Sequence, residues 1–234
     1  MPETLLVAGV RGLGQTLALH FARKGWRVLC AARTEADVSA LCSAVTAAGG
    51  EAVAFPCDLT LPDSLEPLRR EAIDLCIAAQ TAGVRFGSKP LLEIDAEELD
   101  RSYATMIRGT WNLLQVVGPG MLERNKGTFL QMGTSSGVRT KEGFAGLGAI
   151  QHGLRALVQV AAREWRAAGV HAAYVVIDGG IASERTLARG LDPQRLVDPL
   201  EIARACEYLA AQLPSSWTHE LVLRPARSDW TSPT

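Results

Sequence analysis

The chain has 234 residues, 47% hydrophobic and 21% charged, a balance that suits one sizeable α/β core. Its formal net charge of −1 gives no basis for expecting nucleic acid or an anionic membrane as partner. No apolar run reaches the length of a bilayer span, and Met1-Pro2-Glu3-Thr4 leads straight into a strand pattern without a signal peptide, so a cytoplasmic location is expected.

Short apolar runs alternate with longer helical patterns along the chain. Thr4–Ala8 predicts a strand, and Gly12–Lys24 a helix. Arg27–Ala31 predicts a second strand, followed by a helix over Glu35–Ala48 that stops at Gly49-Gly50. Ala52–Phe55 and Ile73–Ala78 predict the third and fourth strands. A long helix is expected over Glu97–Glu123, a fifth strand over Thr128–Met132 and a second long helix over Phe144–Ala168. His171–Ile177 predicts a sixth strand, Leu200–Leu213 a helix and Glu220–Leu223 the last strand. Strands separated by helices imply βαβ units and a Rossmann-like, doubly wound parallel sheet of about seven strands, helices on both faces, in one domain over 1–234. The polar segment 183–199 follows the sixth strand and is expected to form a loop on the substrate side.

The five cysteines (Cys30, Cys42, Cys57, Cys76 and Cys206) form no CxxC pair and are expected as free thiols. The four histidines are scattered without ligand spacing, so no metal site is expected.

The stretch Val7-Ala8-Gly9-Val10-Arg11-Gly12-Leu13-Gly14 joins the first strand to the first helix. Small residues there let a backbone approach a pyrophosphate, and a helix N-terminus offers unpaired N–H groups. The second strand ends at Ala31-Ala32-Arg33, with alanine where an acid would hold a ribose 2′-hydroxyl. Arg33 together with Arg11 supplies two cations suited to a 2′-phosphate.

This opening resembles the TGxxxGxG segment of the short-chain dehydrogenase/reductase superfamily, with Val7 and Ala8 in place of its threonine and first glycine. Asp58-Leu59 resembles the pair that contacts adenine after the third strand. Ala162-Arg163-Glu164 resembles the A-x-E near the end of the active-site helix, and Asp178-Gly179-Gly180-Ile181 the PG-x-I loop. The resemblance implies a dinucleotide cofactor, NADP(H) in preference to NAD(H), held by Gly9, Arg11, Gly12, Leu13, Gly14, Arg33, Asp58, Leu59, Ala79, Gln151, Gly179 and Ile181. Whether it is bound for chemistry, bound structurally or absent is left open.

Counting back from Glu164 in the family's register places Leu147 at the catalytic tyrosine and Gln151 at the lysine. Thr134 falls at the serine and Met106 at the asparagine, and Ala78-Ala79-Gln80-Thr81 at the Asn-Asn-Ala-Gly segment. Leucine carries no proton and glutamine no charge, so the resemblance is to an atypical branch lacking the Ser-Tyr-Lys group. Thr134, Gln151, Ser135 and Gln131 are then the candidate catalytic residues. Asp178 is either a base near the nicotinamide position or the cap of a turn. Three functions fit. The foremost is a non-redox enzyme (isomerase, lyase or cyclase type) acting on a small organic molecule in this cleft. The alternatives are a residual NADP-dependent oxidoreductase with a replaced proton relay and a non-catalytic cofactor-binding or scaffold protein. A homodimer or homotetramer, paired through the two long helices, is expected as well.

Overall fold

The computed structural model describes residues 3–72, 75–83 and 87–228. The strands are β1 (Thr4–Ala8), β2 (Arg27–Ala32), β3 (Glu51–Pro56), β4 (Leu75–Gln80), β5 (Gly127–Thr134), β6 (Val170–Ile177), two short segments β7 (Gly180–Ile181) and β8 (Leu196–Val197), and β9 (Glu220–Leu223). The helices are α1 (Leu13–Ala22), α2 (Glu35–Ala47), α3 (Glu66–Glu71), α4 (Ala96–Tyr103), α5 (Gly109–Glu123), α6 (Ala145–Trp165), α7 (Glu184–Ala188) and α8 (Pro199–Ala211). Seven strands form one sheet in the order β3-β2-β1-β4-β5-β6-β9, and every pair is parallel.

Alternate residues of the central strands point to opposite faces, and both faces are buried, which is why their sequence reads as continuous apolar runs. On one face Leu6, Ala78, Phe129 and Tyr174 pack against Leu113 and Val117 of α5 and Leu154 and Val158 of α6. On the other, Val7, Cys30, Leu130 and Val175 pack against Leu17 and Phe21 of α1, Val38 and Leu41 of α2 and Ile202 and Leu209 of α8. The chain winds outward from β1 to β3, then crosses back to β4. The strand order therefore reverses between β1 and β4, where open α/β sheets hold ligands at the strands' C-terminal ends.

Three details depart from the sequence reading. Strand β4 continues past Ala78 to Gln80. Its polar end is tolerated because the Gln80 amide is satisfied: Oε1 accepts from Ala82 N at 2.8 Å and Nε2 donates to Thr110 at 3.3 Å. Ile73, expected to open this strand, lies outside the described residues. The long helix expected over Glu97–Glu123 is interrupted by a π-helical turn, Ala104–Arg108, between α4 and α5. The segment 183–199 is more ordered than a loop. Ser183 and Thr186 form a capping box that starts α7, and β7 pairs with β8 to tie the segment back near the end of β6. Among the described residues, Cys30, Cys42, Cys57 and Cys206 are free thiols and no group of three or more His, Cys, Asp or Glu is placed to hold a metal. No described helix is long and apolar enough to cross a membrane.

Candidate active site

At the switch point β1 ends on Ala8 and the backbone turns sharply. Gly9 has φ +104, a left-handed conformation that disfavours a side chain, and a Cβ there would lie 2.6 Å from the Ala82 nitrogen. Gly14 approaches Gly9 so closely that a Cβ would fall 1.7 Å from the Gly9 carbonyl oxygen. Thr81 clamps this turn from β4: its hydroxyl donates to Gly9 O at 2.6 Å and contacts Ala8 O at 3.0 Å. Helix α1 begins with Gly12 as N-cap, has no side-chain cap and carries no acidic residue in its first turn. The space that a side chain at residue 12 would fill is open. The helix N-terminus thus presents its amides and positive dipole to the cleft uncovered, an arrangement that fits a pyrophosphate.

A cavity of about 180 Å³ lies beside this turn. Of the residues singled out from the sequence, Gly9, Arg11, Arg33, Asp58 and Leu59 line it. Thr81, named above in the segment after the fourth strand, lines it too, and the structure adds Thr34, Asp37, Thr60, Ala82, Gly83 and Thr105. Asp58 Oδ1 is occupied by its own turn, accepting from Thr60 N at 2.9 Å and Thr60 Oγ1 at 2.8 Å. Cys57, also on the wall, stays a neutral thiol because burial and then the Asp58 charge push it up to about 11.

Two expected cofactor contacts, Ala79 and Gln151, are corrected: both are buried and neither lines the cavity. Ala79 is fully buried inside β4 and paired with Val7 of β1, so it does not reach the cavity. Because β4 runs two residues further than expected, Thr81, Ala82 and Gly83 hold the position after the strand. Ala82-Gly83 then matches the end of the Asn-Asn-Ala-Gly segment two residues later than the sequence register placed it.

The second half of the cleft lies over the ends of β5 and β6. Thr134 closes β5, and its Oγ1 accepts from Ser136 N at 3.3 Å, which leaves the hydroxyl hydrogen available to donate. Leu147 is partly buried in the first turn of α6. Gln151, one turn on, is 2% exposed and turned inward. Its Oε1 accepts from Thr134 N at 3.2 Å and from the Tyr174 hydroxyl at 2.7 Å. Tyr174 is fully buried, and burial raises its phenol far above the ordinary tyrosine range. Gln131 is likewise inside the protein: it accepts from Thr110 at 3.1 Å and donates to Met132 O at 2.8 Å, extending the Gln80–Thr110 pair between sheet and α5. Met106 sits in the π-helical turn, buried in the core.

Asp178 follows β6 and is gripped by two arginines. Arg139 donates to its carboxylate at 3.2 Å and Arg224 Nε at 2.6 Å. Burial alone would raise the Asp178 carboxyl, but hydrogen bonds from Arg224 and Ser135 with the charges of Arg139 and Arg224 outweigh it and hold it below its ordinary range. A group so stabilised as an anion is a structural tie rather than a base. It fixes Ser135 and the ends of β6 and β9. Gly179 is exposed beside it, and Ile181 packs in β7 against the α1–α8 face. Across the cleft, Lys89 N donates to Gly143 O at 2.9 Å, joining the segment after β4 to the loop after β5.

A model described as short chain dehydrogenase matches residues 3–189. The chain belongs to this family. Among its relatives, an uncharacterised oxidoreductase of Mycobacterium tuberculosis is 29% identical over 232 residues, covering 92% of this chain and 87% of that one. The ketoacyl reductase HetN of Nostoc is 27% identical over 140 residues, 58% of this chain, and the match spans only 48% of HetN's own length. A metagenomic short-chain oxidoreductase solved with NADP superposes with a TM-score of 0.80 at 25% identity, covering 97% of this chain and 98% of that one.

Of the residues named from the sequence, Gly9, Arg11, Arg33 and Asp58 come together on the wall of one cavity. Thr81 was read from the sequence as part of the segment after β4, whereas Asp37 was missed: it belongs to no motif and reaches the cavity only from the first turn of α2.

Proposed function

We propose that the chain is an NADP(H)-dependent oxidoreductase that reduces or forms a carbonyl on a small organic molecule, with an altered route for the proton. The observation that carries this reading is the cavity beside the uncapped α1 terminus, with Arg11 and Arg33 on its rim. The relatives named as oxidoreductases or ketoacyl reductases favour it over the non-redox enzyme expected first from the sequence, to which none of the reported relatives lends support. Gly12, Leu13 and Gly14 would hold the pyrophosphate, Asp58 and Leu59 the adenine end, and Gly179 and Ile181 the nicotinamide end. When bound, the dinucleotide supplies or accepts the hydride.

The chain's own groups would do the rest. With Leu147 at the tyrosine position and Gln151 folded inward, neither of them offers a proton or a cation to the carbonyl oxygen. The Thr134 hydroxyl is the donor left at the end of β5, so it would orient that oxygen, and the proton would come from solvent. Ser135, held by Asp178, would flank it. Loss of general acid assistance costs about 10²–10⁴ in rate, so turnover is expected to be slow. Thr134→Val keeps the shape and removes the hydroxyl. It is expected to lower kcat/KM for NADPH-dependent carbonyl reduction by roughly 10- to 100-fold. Steady-state assays would check this, and unchanged activity would remove Thr134 from the reaction.

Copies are proposed to pair through α5 and α6, a reading supported by Trp111 and Val160, each about half exposed on these helices.

A further inference from the structure

Two arginines, one carboxylate and one hydroxyl share the corner of the cavity beyond the end of β2. Arg33 is exposed there and makes no ion pair among the described residues. Arg11, rising from the glycine turn, is engaged: its Nε lies 3.6 Å from Oδ2 of Asp37. Asp37 belongs to the first turn of α2, where the helix dipole favours a carboxylate. Thr34, the N-cap of α2, makes no side-chain capping bond, so its hydroxyl remains available to a ligand. The corner therefore holds one uncommitted cation, one cation already facing an anion, and a donor.

We propose that Asp37 sets the discrimination between nucleotides with and without a 2′-phosphate, by occupying Arg11 and by opposing the phosphate directly. This rests on the nucleotide-binding reading above and deepens it. A ribose 2′-hydroxyl can donate to the Asp37 carboxylate and loses nothing from its charge. A 2′-phosphate gains Arg33 at once, but gains Arg11 only by separating it from Asp37, and then lies beside an anion. The Arg11–Asp37 pair is exposed, with side chains 80% and 31% accessible, so separating it costs little by itself. The larger part of the effect is the carboxylate left near the phosphate. Asp37 thus narrows a preference for the phosphorylated nucleotide that Arg11 and Arg33 would otherwise make steep.

The test uses 2′,5′-ADP and 5′-ADP as probes of this half of the cavity, titrated calorimetrically into the full chain. Asp37→Asn and Asp37→Ala are expected to tighten 2′,5′-ADP by about three- to tenfold, an effect that shrinks as salt rises. Both should leave 5′-ADP unchanged or weaken it. Adding Arg11→Gln to Asp37→Asn should remove most of the gain. Asp37 is on the surface of α2, and matching thermal melts would confirm that the variants fold. An unchanged ratio of the two affinities in both Asp37 variants overturns the proposal and leaves the nucleotide site standing. Failure of the folded wild type to bind either probe overturns the nucleotide reading, and the proposal with it.

Discussion

Gln151→Lys, the change the sequence register suggests for restoring the family's lysine, is expected to lower the stability of the protein by about 3–5 kcal/mol. Gln151 is 2% exposed, and its carbonyl oxygen is the acceptor for both the Thr134 amide and the Tyr174 hydroxyl. Lysine accepts no hydrogen bond. The substitution would leave two buried donors without their acceptor and bring in an ammonium where Gln151 meets no carboxylate. Urea unfolding measures the loss. A variant as stable as wild type would mean that the side chain at 151 can turn into the cleft and meet a ligand. The consequence for engineering is specific: Leu147→Tyr with Gln151→Lys would not rebuild a reductase site by itself, because Tyr174 already fills the room beneath residue 151.

Tyr174 holds that position through a second dependency. A Cβ at Gly133 would lie 2.1 Å from both Cζ and Oη of Tyr174, and one at Gly137 would lie 2.5 Å from Oη. Real Cβ contacts do not approach so closely, and the ring cannot swing aside without giving up its bond to Gln151. Gly133→Ala is therefore expected to cost about 2–3 kcal/mol, a fall in Tm of roughly 5–10 °C for a chain of this size. The cost should largely vanish in a Tyr174→Val background, which has itself lost the ring and the bond. A double-mutant cycle would show this as a coupling of at least about 1 kcal/mol. Strict additivity of the two substitutions would show that β5 and β6 adjust independently.

These residues explain where sequence reasoning reached and where it stopped. Strands β1 and β9 were legible to the residue, β1 as an apolar run buried on both faces and β9 as a short run set off by polar neighbours at the partly exposed sheet edge. The glycine turn was legible because its shape is a property of the backbone, with Gly9 at φ +104 and Gly14 packed on the Gly9 carbonyl. The register that sets Leu147 and Gln151 against the tyrosine and lysine expected from the resemblance is a count along one helix and says nothing of where a side chain points. Gln131 and Gln80 are polar residues near strand ends and Gln151 falls at the register position of a lysine, so all three look like cleft residues in sequence. The structure buries all three in hydrogen-bonded pairs with Thr110 or Tyr174. Their partners lie far along the chain, so no local spacing could have disclosed them. Ala79 failed for a simpler reason: a glutamine at the end of β4 reads as a loop residue, and the strand was ended too soon.

The function proposed for the cleft is tested most directly by isotope transfer. The wild-type chain is incubated with NADPH deuterated at both C4 positions of the nicotinamide and with a set of 3-oxoacyl esters and simple ketones. Deuterium is expected at the carbinol carbon of at least one product, above a control without protein, at a rate roughly 10²–10⁴ below that of an enzyme with the tyrosine and lysine in place. Saturable binding of NADPH with no deuterium delivered to any carbonyl would contradict an oxidoreductase.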